Sequence, residues 1–318
     1  MKLTAKQWHE IKSKDRYNFV PDNVAKKAHA ENIKNCQKAV KEYERTDRPL
    51  RILAVNGSNR TSNQCCANEV SNSKLFLDFS LTVVQDIDKN IEIDVVDLRD
   101  LVIDPCNSCL STTSTLCGFP CDCHPLDDMQ KLYPKLLRSD ILFCSTGVNQ
   151  STMSTRLKAF CDRMISLDGG FFRSIDQFTG KGSDFKNRMM ALSASNKIAY
   201  DQRLYGRVGG YFISSKDQNN HLPIVNHTKT KFDQLSYVEM TAQVLRNGME
   251  DYGYFHAPKF YAGAAAIPDI DYMYDKQTLS LNKKALEEGK QVIVDAIKLA
   301  KKLKRNLPPF KTDRVNRT

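Results

Sequence analysis

Five of the chain's ten cysteines fall within eighteen positions, Cys106-x2-Cys109-x7-Cys117-x3-Cys121-x-Cys123, with His124 next. Thiolates hold a metal when several sulfurs converge on one point, and a C-x2-C turn brings two together. Clustering of this kind points to metal or redox chemistry. A second group of residues has a different chemistry. Gly57-Ser58-Asn59-Arg60-Thr61-Ser62-Asn63-Gln64 follows an apolar run and precedes a helical stretch. A helix N-terminus there offers unpaired N–H groups and a positive dipole end to an anion. Ser58 and Ser62 bring hydroxyl donors, Asn63 an amide, Arg60 a charged planar fork, and Gly57 a sharp turn toward the ligand. The set suits a phosphate monoester. Neither the dinucleotide pattern G-x-G-x-x-G nor the Walker pattern ending G-K-[ST] is present.

Other residues are weaker candidates. Thr146-Gly147-Val148-Asn149-Gln150-Ser151 forms a polar turn after another apolar run. Lys158 and Asp162 stand four apart on one helix face, as an ion pair or subunit contact would. Ser193–Ser195 follow a further expected strand. Cys65 and Cys66 open a helix whose dipole lowers a thiol pKa, although packing explains them as well. Cys36, Cys144 and Cys161 read as small apolar fillers. The six histidines are scattered, and His221, His227 and His256 have no Ser or Cys partner at a recognised spacing, so a hydrolase is not indicated.

From Arg51 the pattern alternates strands and helices, the signature of a parallel sheet with crossover helices. Strands are expected at Arg51–Asn56, Ile91–Leu98, Ile141–Thr146, Arg188–Ala194 and Lys259–Ala265. The first strand leads to a helix reaching about Val84. Another opens near Asp127–Asp128, where two carboxylates suit the helix dipole. Further helices cover about Ser151–Leu167, Tyr237–Met249 and Leu281–Leu303. Five strands give an α/β, doubly wound parallel sheet. The expected domains are a helical N-terminal extension (1–50), the α/β domain (51–305) with an insertion around 195–235, and a basic tail (306–318).

At this point the segments resemble a known family. RILAVNGSNRTSNQ is similar to the opening G-S-x-R-x-x-(S/G)-N-T of the NADPH-dependent FMN reductases and iron–sulfur flavoproteins. DLRDLVIDPCNSC, DDMQKLYPKLLRSDILF and STGVNQSTMSTRLKAFCDR follow in family order. The likeness is strong over Arg51–Gly169, weak between strands four and five, and absent from both extensions. It implies a flavodoxin-like sheet of order 2-1-3-4-5 and an FMN phosphate bound by Ser58, Arg60, Ser62, Asn63 and Gln64, the last in place of the usual Thr. It also implies that Thr146, Gly147, Val148, Asn149, Gln150 and Ser151 meet the flavin ring. Here Gly147 replaces a usual Pro, Asn149 a Tyr and Gln150 a common Trp, so the aromatic surface beside the ring is gone. The iron–sulfur pattern is altered too: Thr112 stands where the third Cys belongs, Cys123 matches the fourth, and Cys117 or Cys121 is left to replace the third. A [4Fe–4S] cluster on four of the five, structural zinc, or unligated thiols all remain open.

The resemblance implies an oxidoreductase that takes electrons from NAD(P)H as co-substrate. Flavin chemistry needs no side-chain acid or base, so no catalytic residue is singled out. The acceptor would be a quinone, an azo or nitro compound, a metal ion or free flavin. The alternative is an iron–sulfur flavoprotein relaying electrons between redox proteins, and a third reading is a binding module that uses the scaffold without catalysis. A homo-oligomer, dimer or tetramer, is implied as well.

Composition bounds these readings. The formal charge is +10, but residues 51–282 carry a net −2, while residues 1–50 carry +5 and residues 283–318 carry +7. The basic ends read as solvated helices and a tail, without the interleaved aromatics of a nucleic-acid surface, so nucleic acid is not an expected partner. No apolar run reaches the length of a membrane span, and no signal-peptide core is evident. The expected place is the cytoplasm, where ten cysteines stay reduced.

Overall fold

The computed structural model describes residues 21–59, 70–109, 117–167, 203–215, 237–265 and 283–308. In chain order the elements are α1 (Asp22–Glu44), β1 (Arg51–Asn56), α2 (Asn72–Leu81), α3 (Val84–Ile87), β2 (Glu92–Asp97), α4 (Met129–Arg138), β3 (Ile141–Gly147), α5 (Thr155–Arg163), β4 (Val208–Ser215), α6 (Tyr237–Asp251), β5 (Phe255–Ala265) and α7 (Lys283–Arg305). The sheet is parallel throughout, in the order β2-β1-β3-β4-β5. That is the doubly wound, flavodoxin-like arrangement.

Strand periodicity explains the two layers. Successive side chains of a strand point to opposite faces. On β1, Leu53 and Val55 enter one core with Leu136 and Tyr133 of α4, Leu157 and Phe160 of α5 and Leu245 of α6. Ile52 and Ala54 enter the other with Phe76 and Leu77 of α2 and Val292, Ile293 and Ile297 of α7. β4 is buried at every position, as a strand covered on both faces must be.

β4 corrects the sequence expectation. The strand between β3 and β5 is Val208–Ser215, inside the stretch expected to be irregular, whereas the expected strand at 188–194 lies outside the described residues. The paired glycines at 209 and 210 disguised it. A Cβ at Gly210 would stand 2.7 Å from the Phe143 ring, and one at Gly209 would stand 2.7 Å from His256 Nε2. Both glycines are therefore packing requirements. β5 begins at Phe255, four residues before the expected start, because Pro258 reads as a strand breaker. At the edge of a sheet a missing N–H is tolerated.

The N-terminal extension is built into the domain. α1 buries Cys36 and Ala39 in the core shared with α4. Beyond α1, Arg48 makes a two-pronged ion pair with Asp140 at 2.6 and 2.7 Å, with both side chains about 5% exposed. Arg207 stacks on Tyr43, 3.2 Å from its ring centre. These contacts fasten the extension to the amino-terminal end of the sheet.

Candidate functional site

The carboxyl ends of β1 and β3 lie side by side, and their turns are interlocked. Gly57 N donates to Ser145 O at 2.8 Å, and Ser154 Oγ donates to Gly57 O. Asn59 Oδ1 accepts from Arg156 N at 3.3 Å, and Asn59 Nδ2 reaches Thr155 Oγ1 at 3.4 Å. Beneath this contact Asn56 joins three strands. Its Nδ2 donates to Asp97 at the end of β2, and its Oδ1 accepts from Ser145 Oγ at 3.0 Å on β3. Both Asn56 and Ser154 escaped the sequence reading. The available signals were a polar residue ending an apolar strand and a Ser-Thr pair before a helical run, where Ser154 caps α5 by accepting from Leu157 N.

Gly57 works differently from the expectation. Its backbone does not take a left-handed conformation, and a Cβ there would stand 2.6 Å from Leu157 Cβ and 3.1 Å from Ser145 O. The glycine admits α5 to the turn. Ser58 is buried beside it, with its N–H 3.4 Å from Asn56 Oδ1. Arg60, Ser62, Asn63 and Gln64 lie outside the described residues, as do Cys65 and Cys66.

The β3 turn is a tight hairpin. Asn149 N donates to Thr152 O at 2.7 Å and Thr152 N to Asn149 O at 3.1 Å. Gln150 and Ser151, between them, both have positive φ, 45° and 68°, the geometry of a type I′ turn. Val148 N bonds Ser214 O at 2.8 Å, hanging the hairpin on β4. Thr146 is buried, its hydroxyl accepting from Ser154 N at 3.0 Å and donating to Gly147 O at 2.9 Å, so it braces the turn from within. The main-chain N–H groups that take no part in these hairpin bonds are those of Gln150 and Ser151, at the tip. Ser193–Ser195 lie outside the described residues.

α5 carries the predicted ion pair between Lys158 and Asp162. Arg163, on the same helix, is buried at 1% exposure and paired with Asp127, which also accepts from Asp104 N at 3.2 Å. Asp128 Oδ2 accepts from Val102 N at 2.7 Å. The two carboxylates thus close the base of the cysteine loop, and they stand at the start of α4 as expected, with Asp128 at the N-cap position but making no side-chain cap bond. Asp104, His124 and Asp127 gather their ligand atoms within 4.8 Å of one another, but Arg163 already occupies the Asp127 carboxylate with its own positive charge.

All five loop cysteines are described, but among the described residues only Asp104, His124 and Asp127, and no three of the sulfurs, bring ligand atoms within 4.8 Å of one another. Cys109 Sγ and Cys123 Sγ are 3.1 Å apart, and Cys123 also bonds Cys121. Those contacts lower the Cys109 and Cys121 thiols, the latter to about 7 with the charge of Arg163 assisting, and raise that of Cys123. Burial pushes Cys106 and Cys117 up. Cys36 and Cys144 are buried fillers as expected. His256 is a core residue, its Nε2 2.8 Å from the Tyr211 hydroxyl, while His221 and His227 lie outside the described residues.

An open parallel sheet with interlocked turns at its carboxyl end defines the doubly wound class, which binds ligands in that crevice. Residues 50–248 match the NADPH-dependent FMN reductases, and the chain belongs to that family of oxidoreductases. Among solved structures it is similar to RosB with the bound intermediate 8-demethyl-8-formylriboflavin-5'-phosphate, at 13% identity over 81% of each chain and TM-score 0.54. It also resembles an azoreductase from Bacillus anthracis str. Sterne, at 12% identity over 80% of this chain and 99% of that one, TM-score 0.41. An apo NADH:FMN oxidoreductase aligns at 11% identity over 76% and 89%, TM-score 0.40. No curated protein sequence matches the chain. Among the described residues, no helix is long and apolar enough to cross a membrane.

The residues present fit FMN by the chemistry of their donors. The turn after β1 carries the Ser58 hydroxyl and the Asn59 amide, the latter 3.4 Å from Thr155 Oγ1, and Gln150 and Ser151 form the tip of the neighbouring hairpin. Such groups suit phosphate oxygens at one end and ring carbonyls at the other.

Proposed function

We propose that the chain is an FMN-dependent oxidoreductase that takes electrons from NAD(P)H and passes them to a quinone, an azo or nitro compound, a metal ion or free flavin. One observation carries this reading: the β1 and β3 turns are bonded to each other at the carboxyl end of the sheet, through Gly57–Ser145 and Ser154–Gly57. FMN, when bound, supplies the electron-accepting ring. Ser58, Arg60, Ser62, Asn63 and Gln64 hold its phosphate. Gln150 and Ser151 offer N–H groups to the ring edge. Thr146, Gly147, Val148 and Asn149 hold that tip in place against β4. With no Tyr or Trp at the tip, the ring face stays open to a co-substrate or acceptor. The active form in this reading is a cytoplasmic homo-oligomer.

The test is titration of flavin-free protein with FMN, followed by anaerobic addition of NADPH. FMN fluorescence should be quenched to a stoichiometric end point, and the bound flavin should bleach. Arg60→Ala should weaken binding by roughly 10–100-fold, the worth of a hydrogen bond to a charged group. Absence of any flavin uptake would refute the assignment. The cysteine-rich loop, with Cys109 and Cys123 in contact, supports a second reading, an iron–sulfur flavoprotein passing electrons between proteins. It requires iron, inorganic sulfide and a broad absorption near the flavin band in the purified protein.

A further inference from the structure

The loop between β2 and α4 brings one pair of sulfurs into contact, and what that pair can do does not depend on flavin. We propose that Cys109 and Cys123 are a site of reversible oxidation: a low-molecular-weight disulfide converts the two thiols to a disulfide bond, and a reductant restores them.

Contact and access single out this pair. Cys109 Sγ and Cys123 Sγ are 3.1 Å apart, although the residues stand 14 positions apart in the chain. A covalent sulfur–sulfur bond is about 2.05 Å long, so side-chain rotation has only about 1 Å to close. Both residues are half-buried, which leaves a dissolved oxidant a way to reach them. The loop's other thiols are placed differently. Cys117 and Cys121 are buried, and this holds for Cys121 even though it also touches Cys123. Cys117 Sγ faces Gly118 O at 4.0 Å. Cys106 is half-buried too, but its Sγ accepts from the Ser108 N–H at 3.4 Å.

The two sulfurs belong to segments that the fold anchors separately. Cys123 lies in the turn before α4. Gln130 Nε2 donates to Cys121 O at 2.7 Å and to His124 O at 2.8 Å, which clamps that turn to α4. Asn32 of α1 donates to Pro125 O at 2.9 Å from the other side. Cys109 lies on the segment that leaves β2. Arg156 of α5 holds the root of that segment, donating to Leu98 O at 3.2 Å and Leu101 O at 3.3 Å. Ser108, the residue before Cys109, has φ 53°, a left-handed conformation that a non-glycine residue keeps only where its surroundings hold it. A bond between the sulfurs would staple the two segments together.

The chemistry is thiol–disulfide exchange. One thiolate of the pair attacks a sulfur of the small disulfide, which forms a mixed disulfide and releases one small thiol. The second cysteine then attacks the mixed disulfide, forms the Cys109–Cys123 bond and releases the other small thiol. The pair gives up two electrons and two protons, and the small disulfide takes them up as two thiols. In a reducing compartment a protein disulfide is transient or redox-sensing, so the state of this pair would follow the surrounding thiol pool.

The test uses the full chain, reduced, freed of reductant without air and treated with oxidised glutathione. Free thiols should fall from ten to eight, peptide mapping should place the bond between Cys109 and Cys123, and dithiothreitol should restore all ten. Cys109→Ser and Cys123→Ser should each form no internal bond, whereas Cys117→Ser should still lose two thiols. The same treatment in urea separates proximity in the fold from bare reactivity: there the pairing should spread over several cysteines. Should a serine variant fail to fold, mapping on the unaltered chain still decides. Retention of all ten thiols, a mixed disulfide that goes no further, a bond mapped to any other pair, the same selective bond in urea, or thiols already occupied by iron and inorganic sulfide would each overturn the proposal.

Discussion

Ser154→Ala probes whether the interlocked turns matter to the ligand or merely to the fold. The hydroxyl does two things: it caps α5 by accepting from Leu157 N at 3.3 Å, and it donates to Gly57 O. Loss of an N-cap costs about 1 kcal/mol, and a buried carbonyl deprived of its partner about 1 kcal/mol more. Urea unfolding should therefore show a loss of about 2 kcal/mol with an unchanged m-value. If half of that energy positions the β1 turn against the β3 hairpin, FMN should bind about fivefold more weakly. Ser139→Ala is the matched control. Ser139 is equally buried and bonds Leu136 O at 2.9 Å, but it lies at the opposite end of β3. It should lose stability and leave FMN binding unaltered. An FMN affinity in Ser154→Ala equal to that of the Ser139→Ala control would refute the coupling, and a stability loss below about 0.5 kcal/mol would refute the hydrogen-bond assignment.

Three further expectations follow from the packing and charges. Gly57→Ala pushes a methyl against Leu157 and Ser145 O, and overpacking of this kind costs about 1–3 kcal/mol; unfolding at wild-type denaturant concentration would contradict it. Arg48→Ala deprives the buried Asp140 carboxylate of its ion-pair partner, leaving it the Arg51 N–H at 2.8 Å and the more distant charge of Arg207. The expected cost is about 3–5 kcal/mol, read by urea denaturation, and partial recovery in Arg48→Ala/Asp140→Ala checks that the stranded charge is the cause. Asp88 is held below the usual carboxylate range by its bonds to Lys301 and to the Asn90 N–H. A carboxyl lowered on folding stabilises above its unfolded pKa, and the contribution disappears as pH falls through the folded value. Asp88→Asn should thus lose stability at pH 6 but converge with the unaltered chain in acid; a pH-independent difference would argue against this pairing.

Legibility in the sequence followed local chemistry. β1 was readable to the residue and β3 to within one, because each is an apolar run closed by turn residues. β4 was not, because its glycines are set by distant partners, Phe143 and His256, and no local pattern encodes such a partner. The same holds at the site. Of the expected phosphate donors, Ser58 is found in the turn after β1, while Arg60, Ser62, Asn63 and Gln64 lie outside the described residues. The brace formed by Asn56, Thr146 and Ser154 could not be read, since each acts through a residue far along the chain. The cysteine loop was legible as a concentration of sulfur. That Cys109 and Cys123 meet sulfur to sulfur depends on how the loop folds back on itself, which spacing does not reveal.

The bond from Val148 to Ser214 has a consequence for how the molecule is assembled. The hairpin after β3 is anchored to a strand synthesised long after it. A nascent chain that has emerged only as far as α5 can already bond Gly57 to Ser145 and Ser154, while the hairpin after β3 still lacks its anchor on β4. Flavin capture then belongs to the finished sheet, and a fragment ending before residue 208 would bind only when the missing portion is supplied in trans.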